Sequence, residues 1–148
     1  MLVFLNNDME VKPGFLRPLL EGLRDPAVFA VAAEVFFRDP SRRREETGRT
    51  RGHIENGWLK LAHVEPSRDE RELDYAPTLW AGGGSAAFCR RMYDAIGGFD
   101  TLYDPFYMED MGLSYQAWRR GWRALFTTRS AVVHEHRGTS RKAFGDDY

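Results

Sequence analysis

The chain opens on Met1-Leu2-Val3-Phe4-Leu5-Asn6-Asn7-Asp8, five apolar residues followed at once by three polar ones. An unbroken apolar run of this length has the pattern of a strand covered on both faces, as inside a parallel sheet. The polar residues then fall at the strand's carboxyl end, where open α/β sheets gather their ligands. Downstream, Pro13 suits a first helical position, and Phe15, Leu16, Leu19, Leu20 and Leu23 share one face at helical spacing. Asp25-Pro26 halts that helix, and Val28–Phe37 is apolar and β-prone again. Strand, helix and strand in this order predict a right-handed α/β crossover.

Residues 38–76 read differently. They are rich in arginine and glutamate, carry Gly48, Gly52, Gly57 and Pro66, and show little periodicity. They predict a long surface excursion with one short helix over residues 58–62. A segment this long in a small domain is usually functional or mobile. Regular structure is expected to resume at Thr78-Leu79-Trp80-Ala81, followed by Gly82-Gly83-Gly84 and the apolar Ala86-Ala87-Phe88. A helix over residues 90–96 ends at Gly97-Gly98. A second, over residues 109–120, has acids in its first turn, Arg119 and Arg120 in its last and Gly121 beyond. Its core side is expected to carry Leu113, Ala117 and Trp118. Residues 122–126 and 131–133 predict two short strands, and the polar residues 137–148 a flexible flap or tail.

Composition narrows the function classes. A chain of 148 residues is the size of one domain with one core, and 43% hydrophobic with 29% charged residues is ordinary for a globular protein. A net charge of −1 gives no overall field for nucleic acid, so no nucleic-acid partner is expected. Arginine outnumbers lysine 18 to 3, which favours planar contacts to phosphate or carboxylate, although a GC-rich genome produces the same bias. The single cysteine, Cys89, excludes an internal disulfide and lies in an apolar stretch, where a buried spectator thiol is expected. No apolar run approaches the ~20 residues that span a bilayer, and no signal peptide is visible. These features set the expectation of a soluble, cytoplasmic protein.

Three clusters carry chemistry. A carboxylate at Asp8, beside the amides of Asn6 and Asn7, can hold a hard divalent cation that bridges two phosphates; the same tripeptide also makes an ordinary polar turn. Glu109-Asp110 opens a helix after Tyr103-Asp104-Pro105-Phe106-Tyr107-Met108. Two acids there complement the helix dipole, and one of them in a partly apolar cleft can also be tuned as a general base. In His134-Glu135-His136 the alternation of a strand puts both imidazoles on one face, as metal ligands or as surface histidines. A fourth candidate fails: Arg44-Glu45-Glu46-Thr47-Gly48 looks like the end of a Nudix pyrophosphatase box. That box needs a glycine where Ala27 stands, a glutamate where Ala33 stands and an Arg-Glu pair where Ser41-Arg42 stands.

The order of the clusters is specific. The apolar strand ending in Asn6-Asn7-Asp8 and followed by Glu10-Val11-Lys12-Pro13-Gly14-Phe15-Leu16 resembles the family 2 inverting glycosyltransferases of the GT-A fold. So do Gly82-Gly83-Gly84-Ser85 before Phe88-Cys89-Arg90-Arg91, and Ile96-Gly97-Gly98-Phe99-Asp100. Glu109-Asp110, then Arg119-Arg120-Gly121-Trp122-Arg123, and the closing residues from Val132 through His134-Glu135-His136 to Ser140 complete the resemblance. It covers residues 1–38 and 78–141.

The resemblance implies an α/β fold: a partial GT-A domain with a mixed sheet over residues 1–148, whose nucleotide-binding strands would precede residue 1. It implies transfer of a sugar, with inversion, from a nucleotide-diphosphate sugar to a glycan or lipid-linked acceptor. Asp8, His134 and, less well placed, His136 stand where the family holds a divalent cation, Mn²⁺ or Mg²⁺. Asp110 stands at the catalytic base, with Glu109 beside it. Asn6, Asn7, Gly82, Gly83 and Gly84 stand around the donor, glycine removing the Cβ obstacle to close approach. Family members often carry an aspartate where Gly112 stands here, which puts contacts at the helix start in doubt. A non-catalytic truncated remnant or assembly module of the same fold is the rival expectation. A homodimer through an exposed sheet edge and peripheral association with the inner face of a membrane, in polysaccharide biosynthesis, complete the expectations.

Overall fold

A computed structural model describes residues 1–41, 44–104 and 107–135. Its centre is β3 (Val28–Phe37), in which every residue but Phe36 is buried. Alternate side chains of β3 enter two separate cores, as the period of a strand requires. Val31, Ala33 and Val35 pack with Leu19 and Val132 in one layer, while Ala30 and Ala32 pack with Phe88, Met92, Leu113 and Ala117 in the other. Helix α1 (Leu16–Gly22) covers the first layer; α3 (Arg90–Ile96) and α4 (Glu109–Trp118) cover the second.

The sheet runs β1 (Leu2–Leu5), β7 (Ser85–Phe88), β3, β8 (Arg123–His134) and β2 (Met9–Val11), with β6 (Ala76–Pro77) also on β8. Only the β3–β8 pair is parallel, so the sheet is mixed, as expected. The opening strand is not an inner parallel strand. β1 lies at the end of the sheet, antiparallel to β7, which separates it from β3. Its apolar run has a simple cause: Val3 packs into one core and Leu2 and Phe4 into the other. Hydrophobicity on both faces reports how a strand's faces are covered, not how many strands flank it.

The excursion is mostly ordered. Residues 58–62 are strand, not helix: β4 (Thr50–Glu55) and β5 (Trp58–His63) form an antiparallel hairpin. Asn56 and Gly57 at its tip have φ of 50° and 81°, the two positive values of a type I′ turn, whose twist matches the flanking strands. Helix α2 (Arg68–Glu72) follows, with Ser67 and Glu70 forming a capping box. The charges fasten this segment to the sheet. Glu34, buried in the middle of β3, accepts from Arg71 Nη2 at 2.9 Å and from Arg44 Nη1 at 3.4 Å, and Arg44 also pairs with Glu65.

Three further expectations change. The two strands over 122–126 and 131–133 are one strand, β8, interrupted by a bulge where the pairing jumps from Ala33–Thr127 to Glu34–Ala131. In α4, Leu113 and Ala117 are buried but Trp118 is 43% exposed. Cys89 is only partly buried, at the N-terminal boundary of α3. The expected tail, residues 137–148, and His136 lie outside the described residues. No helix among the described residues is long and apolar enough to cross a membrane.

Candidate active site

Asn6, Asn7 and Asp8 do form a turn: Met9 N–H donates to Asn6 C=O at 3.1 Å as the chain passes from β1 to β2. That turn does not exclude the other reading. β2 pairs with the end of β8, setting Met9 opposite His134, so the Asp8 carboxylate comes within 3.4 Å (Oδ2) of His134 Nε2. The other imidazole nitrogen, Nδ1, lies 3.0 Å from Glu46 Oε2. Burial by itself would lower the His134 pKa, but the Glu46 and Asp8 carboxylates outweigh it and hold the imidazole above its ordinary value.

Glycines bring the opposite wall in. Asn6 N–H donates to Gly84 C=O at 3.0 Å, and a Cβ on Gly84 would stand 2.8 Å from the Asn6 amide nitrogen. Ser114 Oγ, buried in α4, accepts from Ala81 N–H at 3.3 Å and ties the glycine segment to that helix. This sets the start of α4 against Gly82–Gly84. Asp110 accepts from the Met111 N–H at 2.7 Å and from the Gly83 N–H. Burial raises its carboxyl to about 6 despite those amides, and neighbouring Glu109 and Glu46 push the same way. Gly112, where family members often carry an aspartate, makes room for the Tyr103 ring: a Cβ there would lie 2.5 Å from it.

Together these residues line a cavity of about 760 Å³. It unites Asn6, Asp8, Gly82, Gly83, Gly84, Glu109, Asp110 and His134 from four distant parts of the sequence. Asn7 is not in the lining, and His136 lies outside the described residues. Asp8 Oδ1 and Glu109 Oε2 are buried with no hydrogen-bond partner among the described residues, a costly state that a ligand would relieve. Among the described residues no group of three His, Cys, Asp and Glu side chains is arranged to hold a metal. Asp8 and His134 supply two adjacent donors of types suited to a divalent cation.

Sequence reasoning missed Glu46 and His63, which also line the cavity; Tyr103 and Asp104, quoted ahead of the acid pair but given no role of their own, line it too. Glu46 lay in the segment set aside as a failed pyrophosphatase box. Its usable signal was Gly48, with φ of 80° and a Cβ position only 1.9 Å from Ala33 C=O, marking a turn pressed against the sheet. His63 follows from the hairpin; it stacks edge-on against Trp80, and burial lowers its pKa.

The fold is a mixed α/β domain of the GT-A type. It superposes on a crystal structure of GalNAc-T7 with UDP, GalNAc and Mn²⁺ with a TM-score of 0.67, at 20% identity, covering 89% of this chain and 27% of that one. Among curated proteins the chain is similar to probable N-acetylgalactosaminyltransferase 9 of Caenorhabditis elegans, 25% identical over 143 residues. It is also similar to polypeptide N-acetylgalactosaminyltransferase 3 of Taeniopygia guttata, 24% identical over 153 residues. These matches cover 90% and 97% of this chain but 24% and 25% of the relatives, so the chain spans about a quarter of their length. No protein-family model matches the chain. The comparisons support a glycosyltransferase of the GT-A fold without singling out family 2. They also correct the expected compartment. Polypeptide N-acetylgalactosaminyltransferases are Golgi lumenal enzymes acting on proteins, so neither a cytoplasmic location nor polysaccharide biosynthesis has support. One cysteine and the absence of an apolar run were too weak a signal to assign a compartment.

Proposed function

We propose that this cavity transfers a sugar from a nucleotide-diphosphate sugar to a hydroxyl acceptor, a glycan or a lipid-linked group, with inversion at the anomeric carbon. The observation that carries the reading is the Asp110 carboxyl, raised to about 6 at the wall of the cavity. A base with a pKa near the working pH is well matched to removing a proton in a transition state. The acceptor O–H proton passes to Asp110 while the acceptor oxygen bonds to the anomeric carbon. The bond from that carbon to the diphosphate oxygen breaks in the same step, and its electrons leave on the diphosphate. Glu109, with one buried oxygen lacking a partner among the described residues, positions the acceptor hydroxyl.

Gly82, Gly83 and Gly84, with Asn6, leave backbone and amide groups facing the donor. Asp8 and His134 fit a divalent cation, Mn²⁺ or Mg²⁺, and the supporting observation is Asp8 Oδ1, buried with no partner among the described residues. Such a cation, when bound, supplies positive charge against the departing diphosphate. That GalNAc-T7 holds UDP and Mn²⁺ on the same fold supports a divalent cation as the cofactor. The placement within family 2 rests on the acid pair and the histidine strand end in their order. The rival, a non-catalytic module, draws on the absence of a three-ligand metal group among the described residues. NMR of the anomeric proton during turnover tests the proposal: the product carries the opposite configuration to the donor, and a retained configuration contradicts it.

A further inference from the structure

His63 closes β5 at the wall of the reaction cavity, and the residues around it fix its ring. It pairs across the hairpin with Thr50. Thr50 Oγ1 donates to Trp80 C=O and accepts from Trp80 N–H, each at 2.9 Å, and Trp80 meets the imidazole edge-on with ring centroids 5.4 Å apart. Thr47 Oγ1 donates to Val64 C=O at 2.8 Å, beside His63 in the chain. The Thr47 N–H donates to His63 Nδ1 at 3.4 Å.

That last contact decides where the proton sits. A backbone N–H can be accepted only by a ring nitrogen that carries no hydrogen. Nδ1 is therefore bare, and the imidazole is neutral with its proton on Nε2. Burial favours the same uncharged state and lowers the His63 pKa, although the Glu46 charge works against it. Nε2 makes no hydrogen bond among the described residues, yet it is not sealed from solvent as Asp8 Oδ1 and Glu109 Oε2 are. It is the ring nitrogen left to meet what enters the cavity. His134 is set the other way, its carboxylate neighbours favouring the charged ring.

The cavity's charge gives such a donor its use. Among the described residues, seven carboxylates and no Lys or Arg line it. A diphosphate placed there needs N–H groups for its oxygens, but a lysine or arginine would repel the cation proposed at Asp8 and His134. A neutral imidazole supplies a directed N–H without the added charge, and its bond to an anionic oxygen is of the stronger kind. Glu46 ties His63 to that end of the cavity, since its carboxylate contacts His134 and also acts on His63.

We infer that His63 is a substrate-binding residue, donating its Nε2–H to an oxygen of the donor's diphosphate. The inference rests on reading the cavity as a nucleotide-sugar site. The probe is inorganic pyrophosphate with Mg²⁺, which presents diphosphate oxygens without a nucleoside, added to the 148-residue chain labelled with ¹⁵N at histidine. Long-range ¹H–¹⁵N spectra at neutral pH are expected to show His63 with its proton on Nε2, the signals being assigned by their loss in His63→Phe. Nε2 is expected to shift with magnesium pyrophosphate and not with Mg²⁺ alone. In calorimetry His63→Phe weakens magnesium pyrophosphate by about 10-fold or more, the scale of a hydrogen bond to a charged group. His63→Gln, whose amide keeps an N–H near the place of Nε2, retains most of the affinity; circular dichroism verifies that both variants fold, and the wild-type spectra test the inference without them.

A proton on Nδ1, a response to Mg²⁺ alone, or no response to either addition overturns the inference. So does an affinity that His63→Phe retains or that both variants lose equally. Failure of the transfer reading is separable. A pyrophosphate shift at His63 without Asp110-dependent turnover of any nucleotide sugar supports the diphosphate contact and sinks the reaction. Asp110-dependent turnover with His63 silent does the reverse.

Discussion

Glu46 and Asp8 grip His134 from opposite sides, the first 3.0 Å from Nδ1 and the second 3.4 Å from Nε2. A carboxylate on one imidazole nitrogen fixes the ring and makes the other nitrogen a better ligand. The three residues come from the β3–β4 connection, the β1–β2 turn and the end of β8, so this contact joins the excursion to the proposed metal site.

Asp8→Ala is expected to abolish measurable Mn²⁺ binding in calorimetry, and Glu46→Gln to weaken it by about 10–100-fold, the usual effect of losing such an orienting partner. Because the carboxylates raise the His134 pKa, its imidazole holds a proton more tightly than an ordinary histidine, and metal binding must displace that proton. Affinity therefore falls as pH is lowered through the imidazole range. Equal affinity in wild type and Asp8→Ala contradicts the placement.

Turnover is expected to fall as pH drops through about 6, where Asp110 takes up a proton and ceases to be a base. Burial is the main cause of that value and the Glu109 charge adds to it, so Glu109→Gln shifts the acid limb of the kcat/KM profile to lower pH. An unmoved limb removes Glu109 from the account.

Gly48→Ala is expected to destabilise the fold by roughly 2 kcal/mol or more, combining a left-handed backbone with a collision against Ala33 C=O. Gly57→Ala, left-handed but in open space, costs only about 1 kcal/mol. Denaturant unfolding that ranks the two in the opposite order contradicts the packing of the Glu46 turn.

Glu70 has its carboxyl held at about 2: burial works against it, but the Ser67 N–H, Arg49 and Arg51 prevail. A folded-state value below the unfolded one means stability that is complete above about 4.5 and is lost as pH falls from there toward 2. Glu70→Gln is expected to cost about 2–3 kcal/mol at neutral pH, between the scales for losing a helix cap and breaking a buried pair. The variant's unfolding free energy must then vary less with pH than the wild type's between 4.5 and 2.

The parts of the fold legible in sequence were those where burial is periodic and local. Val28–Phe37, the Gly97 helix stop and the acidic start of α4 all carry that signature. The hairpin was missed although Asn56-Gly57 is its strongest local signal, because Ile54, Trp58 and Leu59 remain exposed and so break the usual alternation. β8 looked like two strands because a bulge interrupts its pairing. The site was legible as types in order: Asp8, the glycines, Glu109-Asp110 and His134 do converge. Glu46 was not, since its place depends on a turn pressed against Ala33 from across the fold.

The central claim is that Asp110 acts as the base of a nucleotide-sugar glycosyltransfer. It is tested most directly by screening nucleotide-diphosphate sugars with Mn²⁺, for wild type and Asp110→Asn, on this chain and on any longer form containing it. At least one donor is expected to turn over in the wild type, with a loss of 10²–10⁴-fold in Asp110→Asn, the range for removing a general base. No turnover of any donor, or equal turnover in the two proteins, contradicts the claim.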